Sequence, residues 1–297
     1  MKKQNGIALI QVLIISIVLT LLAMFISKNT QRQVGITEQV KHSFQLRVRL
    51  ENAESLILSE LLSKNLYRNN LDSGLASKWN FHNAPFVLSN GVKVQLQDLK
   101  GLINLNYVND TLINSFLTQY ELSDSQKREF VDSLKDWIDR DDLNRLNGAE
   151  KPYYESRGLI VPRNGHLQYL DEIYLVKGGD IIRPEDLRNF FTVILTEGLN
   201  PFNAPDELLK VMILNQDAVE NVINKRRAGN LTELDFYQLT GIEQDIYVNF
   251  ATGRKIRVIL EVSEGSTKLK KEFIANINPL SNTSPLVLSN HIWNKSW

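Results

Sequence analysis

The chain opens with "MKKQNGIALIQVLIISIVLTLLAMFIS" (residues 1–27), in which two lysines and a glycine precede a long apolar run. From Ile7 to Ile26 only Gln11, Ser16 and Thr20 carry polar side chains. A helix over that run is about 30 Å long, the thickness of the hydrocarbon core of a bilayer, so it can span one. A secretory signal peptide has a shorter apolar region followed by a small-x-small cleavage site. Here the run is longer and ends in Phe25-Ile26-Ser27-Lys28-Asn29, which argues that it is retained. By hydropathy alone an ordinary single-pass anchor fits as well, and Lys2 and Lys3 before the run against Lys28 and Arg32 after it leave its orientation open.

The helical pattern continues past the apolar run. Ile36, Val40, Phe44 and Val48, then Leu50, Ala53, Ile57 and Leu61, recur at spacings of three and four with charges between them. This predicts one helix to about Leu66, roughly 90 Å long, half in lipid and half packed on a domain. Gly35 is a candidate kink, and two separate helices are the alternative. Asn90-Gly91 sits between β-prone runs in "PFVLSNGVKVQLQ", a hairpin signal. A second β region has Ile256, Val258, Leu260 and Val262 alternating, then a turn at Glu264-Gly265-Ser266 into "KLKKEFIANI". The predicted sheet is therefore split in sequence.

Between its two parts the chain reads as mainly helical. Ser123 with Gln126 three residues on forms a capping-box pattern before an apolar face of Phe130, Val131, Leu134, Trp137 and Ile138. Ala204-Pro205-Asp206 starts another helix. "INLNYVNDTLINSF" from Ile103 and "LNPFNAPDELLKVM" from Leu199 share Asn, Asp and Leu at matching places, either by duplication or by chance.

Composition narrows the function classes. Lys+Arg and Asp+Glu both number 34 in 297 residues, so no net charge draws the chain to nucleic acid or to anionic lipid. Cysteine is absent, which removes disulfides and thiolate metal sites. His42, His82, His166 and His291 are scattered, and no metalloprotease, phosphate-loop or nucleophile-elbow motif occurs. An enzyme is not expected.

The short basic leader, Gly6 and the uninterrupted apolar helix resemble a type IV prepilin-class N-terminus. That resemblance implies cleavage between Gly6 and Ile7 by a prepilin peptidase, methylation of Ile7 and retention of the helix in the inner membrane, with the C-terminal domain in the periplasm. Mature position five is normally Glu, able to pair with a neighbouring subunit's amine in lipid. Here it is Gln11, a poor substitute for that ion pair. Along almost its whole length the chain also resembles the K-type minor pseudopilins of type II secretion, through "GLINLN", "LKDWIDRDD", "NGAEKPYY", "LDEIYLVKGGD" and "LNPFNAPDELL" in that order. The resemblance implies an α+β, pilin-like fold, a long transmembrane helix on a small antiparallel sheet, with a large inserted α-helical domain of helix-hairpin-helix or SAM-like units. It divides the chain into a leader (1–6), a transmembrane helix (7–26), a first part of the pilin core (27–103), the insert (104–245) and C-terminal strands (246–297). It also implies a place at the pseudopilus tip beside the I- and J-type minor pseudopilins and the major pseudopilin. The alternative is a minor pilin or competence pseudopilin of a type IV pilus system that touches DNA.

Asp136, Asp139, Asp141 and Asp142, with Glu150 beyond a loop, place hard oxygen ligands at a predicted helix end. A solvated acidic turn reads from the same residues. The resemblance favours calcium there, with Asp139, Asp141, Asp142 and Glu150 as the ligand set, although Lys151 stands where an acidic residue often follows "GAE" in the family. The stretch from Leu199 also resembles a DNA-binding helix-hairpin-helix unit, with Lys225-Arg226-Arg227 as phosphate contacts. Its hairpin reads Leu214-Asn215-Gln216-Asp217 where small residues are needed for close backbone approach, so no nucleic-acid partner is expected.

Overall fold

The computed structural model describes residues 5–64, 66, 74–75, 77–196, 198–265 and 267–294. Helix α1 (Asn5–Ser63) is one continuous element of 59 residues, about 90 Å long, and passes through Gly35 without a break. Its apolar pattern divides into two stretches with different surroundings. Leu46, Leu50, Ala53, Ile57 and Leu61 are fully buried against the sheet. Ile36, Val40 and Phe44, expected to pack on the domain, are exposed instead because the sheet first meets the helix at Leu46, and Val48 is exposed on the helix face turned away from the sheet.

The sheet comprises β1 (Phe86–Val87), β2 (Lys93–Asp98), β5 (Lys255–Glu264), β6 (Thr267–Ile277) and β7 (Leu286–Trp293) in the order β1-β2-β5-β6-β7, every pair antiparallel. The Asn90-Gly91 hairpin forms as expected, with Gly91 at a φ of 79° that suits a residue without Cβ. Val94, Leu96, Val258, Leu260, Val262, Phe273 and Ala275 make the face that covers α1. An ion pair from Lys271 on β6 to Glu54 on α1, both nearly buried, fastens helix to sheet. Trp293 at the end of β7 lies between Arg47 (5.0 Å from guanidinium to ring centre) and Lys271 (4.8 Å). Strand β7 falls within the region 246–297 where the resemblance implies C-terminal strands, although no residue pattern marks it there.

Asp98 pairs in register with Ile256, so the chain leaves the sheet at the end of β2 and re-enters it alongside. Everything between is the insert, which has its own core running from Ile103 to Phe250 and so takes in Val248 and Phe250 beyond residue 245. In order it holds β3 (Ile103–Asn104), α2 (Asp110–Leu117), α3 (Asp124–Ile138), α4 (Lys151–Glu155), α5 (Pro184–Phe190), β4 (Phe191–Thr192), α6 (Asp206–Met212), α7 (Gln216–Ala228) and α8 (Glu233–Thr240). The neck is closed by Asp98, which is buried and accepts from the backbone N–H of Gly253 (2.8 Å) and Lys100 (2.9 Å) and from Asn203 Nδ2 (2.8 Å).

The two similar stretches occupy equivalent places. Ile103 pairs in parallel with Phe191, and Leu199 makes a parallel bridge to Val248. Asn104 Oδ1 accepts from the N–H of Asn106 (2.9 Å) and Asn200 Oδ1 from that of Phe202 (2.9 Å). Their amide nitrogens donate to the returning chain, at the carbonyls of Ile194 and Phe250, both at 3.1 Å. Asp110 and Asp206 begin α2 and α6, which pack on each other. The insert is thus built from two related units.

Candidate functional site

Helix α3 carries the acidic loop. Ser123 accepts from the N–H of Gln126 and the Gln126 side chain accepts from the N–H of Ser123, which closes the helix start. Fifteen residues later the helix ends at Ile138, placing Asp136 on the buried face with Phe130, Leu134 and Trp137. Trp137 donates Nε1–H to Glu172 (3.1 Å) and stacks edge-on against Tyr154, with ring centres 5.2 Å apart. The chain then loops back over the helix end. Asn147 Nδ2 donates to Asp132 (2.8 Å), and Gly148 sits so close that a Cβ there would lie 1.9 Å from Asp136 Oδ2. Any side chain at that point would have to displace the Asp136 carboxylate.

Arg145 from the same loop donates Nη1–H to Asp136 (2.6 Å) and also to Asp139, and its backbone N–H reaches Asp136 Oδ2 (3.2 Å). Asp142 accepts from Asn164 Nδ2 (2.7 Å), and Asp141 accepts from the N–H of Leu143 (2.9 Å), so these two shape the loop and tie it to the following segment. Glu150 is only 2% exposed, and neither of its carboxylate oxygens has a partner; Asp139 Oδ1 is likewise buried and unpartnered. Burial, followed by the fields of Asp136, Asp139 and Asp142, pushes the Glu150 carboxyl up to about 7. Lys151 turns outward and pairs with Glu155 at 3.6 Å, leaving the acidic pocket to the carboxylates.

Of the sequence-predicted ligands, the structure places Glu150 and Asp139 in one electrostatic cluster with Asp136 and Asp142. Among the described residues no three histidine or carboxylate side chains converge at metal-holding distance as they stand. Arg145 occupies the centre and was not singled out from sequence; its position six residues past Asp139 in a loop gives no periodic signal. The donor chemistry nonetheless suits a hard divalent cation, because both oxygens of buried Glu150 and the buried Oδ1 of half-buried Asp139 lack hydrogen-bond donors.

The basic run of the second unit is engaged internally. Arg226 is buried and donates to the Ala204 carbonyl (2.5 Å) and to Asp206, Arg227 pairs with Asp206 (2.6 Å), and Lys225 pairs with Asp235 (2.6 Å). These cations hold α7 to α6 and α8. At the other end of the molecule Gly6 and Ile7 fall in the first turn of α1, and Gln11 is exposed on it. The apolar part of α1 has a mean hydropathy of 2.9 over its best window and is not covered by any of the described residues.

A family model described as "Type II secretion system (T2SS), protein K" matches residues 97–196, which span the neck, α2, α3, the acidic loop and β4. Over these residues the chain is similar to the type II secretion system protein K family. A curated protein K of Escherichia coli (strain K12) is 29% identical over 193 residues, covering 59% of this chain and 58% of that relative. The chain therefore spans somewhat over half of that relative's length. The type II secretion system protein K of Klebsiella pneumoniae is 24% identical over 269 residues, 84% of this chain and 77% of the relative. The fold is shared with a chain in the crystal structure of the GspK-GspI-GspJ complex from the type 2 secretion system of enterotoxigenic Escherichia coli, with a TM-score of 0.58 and 16% identity over 88% of this chain and 99% of that one. The long N-terminal helix, antiparallel sheet and helical insert thus make up a fold shared with that chain.

Proposed function

We propose that this chain is a minor pseudopilin of type II secretion that caps or initiates the pseudopilus at its tip, together with I- and J-type minor pseudopilins and above the major pseudopilin. The observation that carries the reading is the exposed apolar stripe of α1 beyond its membrane-length segment. Val34, Val40 and Phe44 are 52%, 63% and 66% exposed on a helix that its own sheet covers only from Leu46 onward. Exposed apolar side chains in a row favour burial against a partner helix. The insert, standing on the sheet at the end remote from this stalk, obstructs a further subunit above it. Gln11, in place of an acid, removes the charge that would engage a subunit ahead.

In this reading a prepilin peptidase cuts between Gly6 and Ile7, Ile7 is methylated, and Ile7–Ile26 stays in the inner membrane with the rest of the chain in the periplasm. The role is structural, not catalytic. Calcium is proposed at the acidic loop, held by Asp139 and Glu150 with Asp136 and Asp142 nearby and Asp141 shaping the approach; when bound, it would neutralise these carboxylates and fasten the loop to α3.

Co-purification from membranes tests the proposal. Tagged full-length chain is expected to bring down the I- and J-type minor pseudopilins, and a chelator is expected to weaken that recovery. Recovery of neither partner, with Gly6–Ile7 uncut in cells that contain the peptidase, would return the chain to a plain membrane anchor.

A further inference from the structure

The sheet has a second face, turned away from α1. On it Arg257 of β5 stands beside Ile259 and, across the strand, Ile274, and a cleft of about 240 Å³ opens between this face and the insert at α5 and β4. Arg257 lines the cleft and is only 9% exposed. Its Nη1–H donates to the Arg188 carbonyl (2.7 Å), while its Nε–H is buried without an acceptor. No carboxylate lies within 4 Å of it among the described residues. The acid whose field it feels most, Glu272, faces Lys270 at 3.8 Å, and the other acid at the cleft, Asp171, is paired with Arg188 at 3.4 Å. The cleft therefore has three cations against two acids, with the excess charge on its most deeply buried member.

A buried charge is normally paired, because removing it from water without a partner costs several kcal/mol. Here burial works against the Arg257 guanidinium, and the chain supplies only a partial offset. We propose that the cleft is a carboxylate-binding site in which Arg257 is the anchor. A guanidinium presents parallel N–H donors that match the two oxygens of a carboxylate, and the Nε–H left over here is one such donor. The walls suit a short aliphatic stem, since Ile259, Ile274 and Tyr169 line the cleft together with Lys270 and Arg188. The volume accommodates a glutamate side chain with its adjoining backbone, or a small free dicarboxylate. Since the cleft joins sheet to insert, an occupant would also tie the two together.

The test uses the full-length protein in detergent micelles, labelled with ¹⁵N-arginine so that the Arg257 Nε–H resonance is observed directly and assigned with Arg257→Lys. Two probes are titrated, glutarate and the peptide acetyl-Gly-Glu-Gly-amide, with acetyl-Gly-Gln-Gly-amide as the neutral control. The proposal expects a saturable shift with at least one carboxylate probe and none with the glutamine peptide. With affinity for the same probes read in the variants by isothermal titration calorimetry, Arg257→Gln is expected to weaken binding at least tenfold, and Lys270→Gln by a smaller factor that remains measurable if Arg257→Gln does not fold. A response to the glutamate peptide alone identifies a protein carboxylate as the ligand, and an equal response to glutarate identifies a small anion. No shift with either carboxylate, an equal shift with the glutamine peptide, or unchanged affinity in Arg257→Gln would overturn the site.

Discussion

Two stretches of α1 carry the same periodic apolar pattern and have opposite fates. From Leu46 to Leu61 the stripe is buried under the chain's own sheet, and from Val34 to Phe44 it faces outward with none of the described residues over it. Periodicity reports that a helix has a face to bury; it does not report what buries it. The covered stretch is also fixed by specific groups, Lys271 to Glu54 and Arg49 to both Glu264 (3.0 Å) and the Asn90 carbonyl (2.6 Å), whereas among the described residues the uncovered stretch has no such attachment. That contrast separates the part of the helix that the chain's own sheet covers from the part it leaves exposed.

The largest effect is expected at the attachment. Lys271→Met leaves Glu54 buried without its partner and should cost about 3–5 kcal/mol of unfolding free energy, read by urea denaturation. Adding Glu54→Leu should restore most of the loss, and a double variant no better than the single one would show that the pair is not what joins helix to sheet. Next comes the direct contrast between the stripes. Ile57→Ala should cost about 2–5 kcal/mol by emptying a buried site, while Phe44→Ala should change monomer stability by no more than about 0.5 kcal/mol and act only on partner recovery. Equal destabilisation by the two would erase the distinction.

A third substitution probes the insert alone. Gly148→Ala forces a Cβ into Asp136 and is expected to cost about 1–3 kcal/mol through displacement of the acidic loop, with the helix-sheet contacts unaffected in amide exchange. The smallest effect is a matter of acid pH. The hydrogen bond from Lys225, then those from Thr232, hold the Asp235 carboxylate down to about 2 from its ordinary 3.8. A depressed carboxylate stabilises the fold above its unfolded value, and that contribution fades as pH falls from about 4 toward 2. Asp235→Asn should therefore flatten the acid-unfolding curve in that window and leave α1 untouched.

Much of this was legible in the sequence. The α1 helix, the Asn90-Gly91 hairpin and the β5–β6 hairpin follow from periodicity and turn chemistry, and the capping box of α3 forms as its spacing predicts. The helix stops at Ser63, three residues short of Leu66. Strand β7 escaped notice because "LVLSNHIW" is polar at its centre and gains strand character only by pairing with β6. The exposure of Val40 and Phe44 was not legible either, since where the sheet begins to cover the helix depends on contacts between residues some two hundred positions apart. The acidic loop was found as a composition, but its geometry was not: Arg145 and Gly148 decide which carboxylates face inward, and neither belongs to a ligand pattern.

The most direct test of the account exploits the absence of cysteine from the chain. A single cysteine is placed at Phe44 or at Leu50 of the full-length protein, and a thiol cross-linker is applied to intact cells that carry the secretion machinery with cysteine-bearing partners. The account predicts that Phe44→Cys forms a cross-link to another pseudopilin and Leu50→Cys does not. Cross-links from neither position, or from Leu50→Cys alone, would contradict the claim that the outward stripe of α1 is the assembly surface.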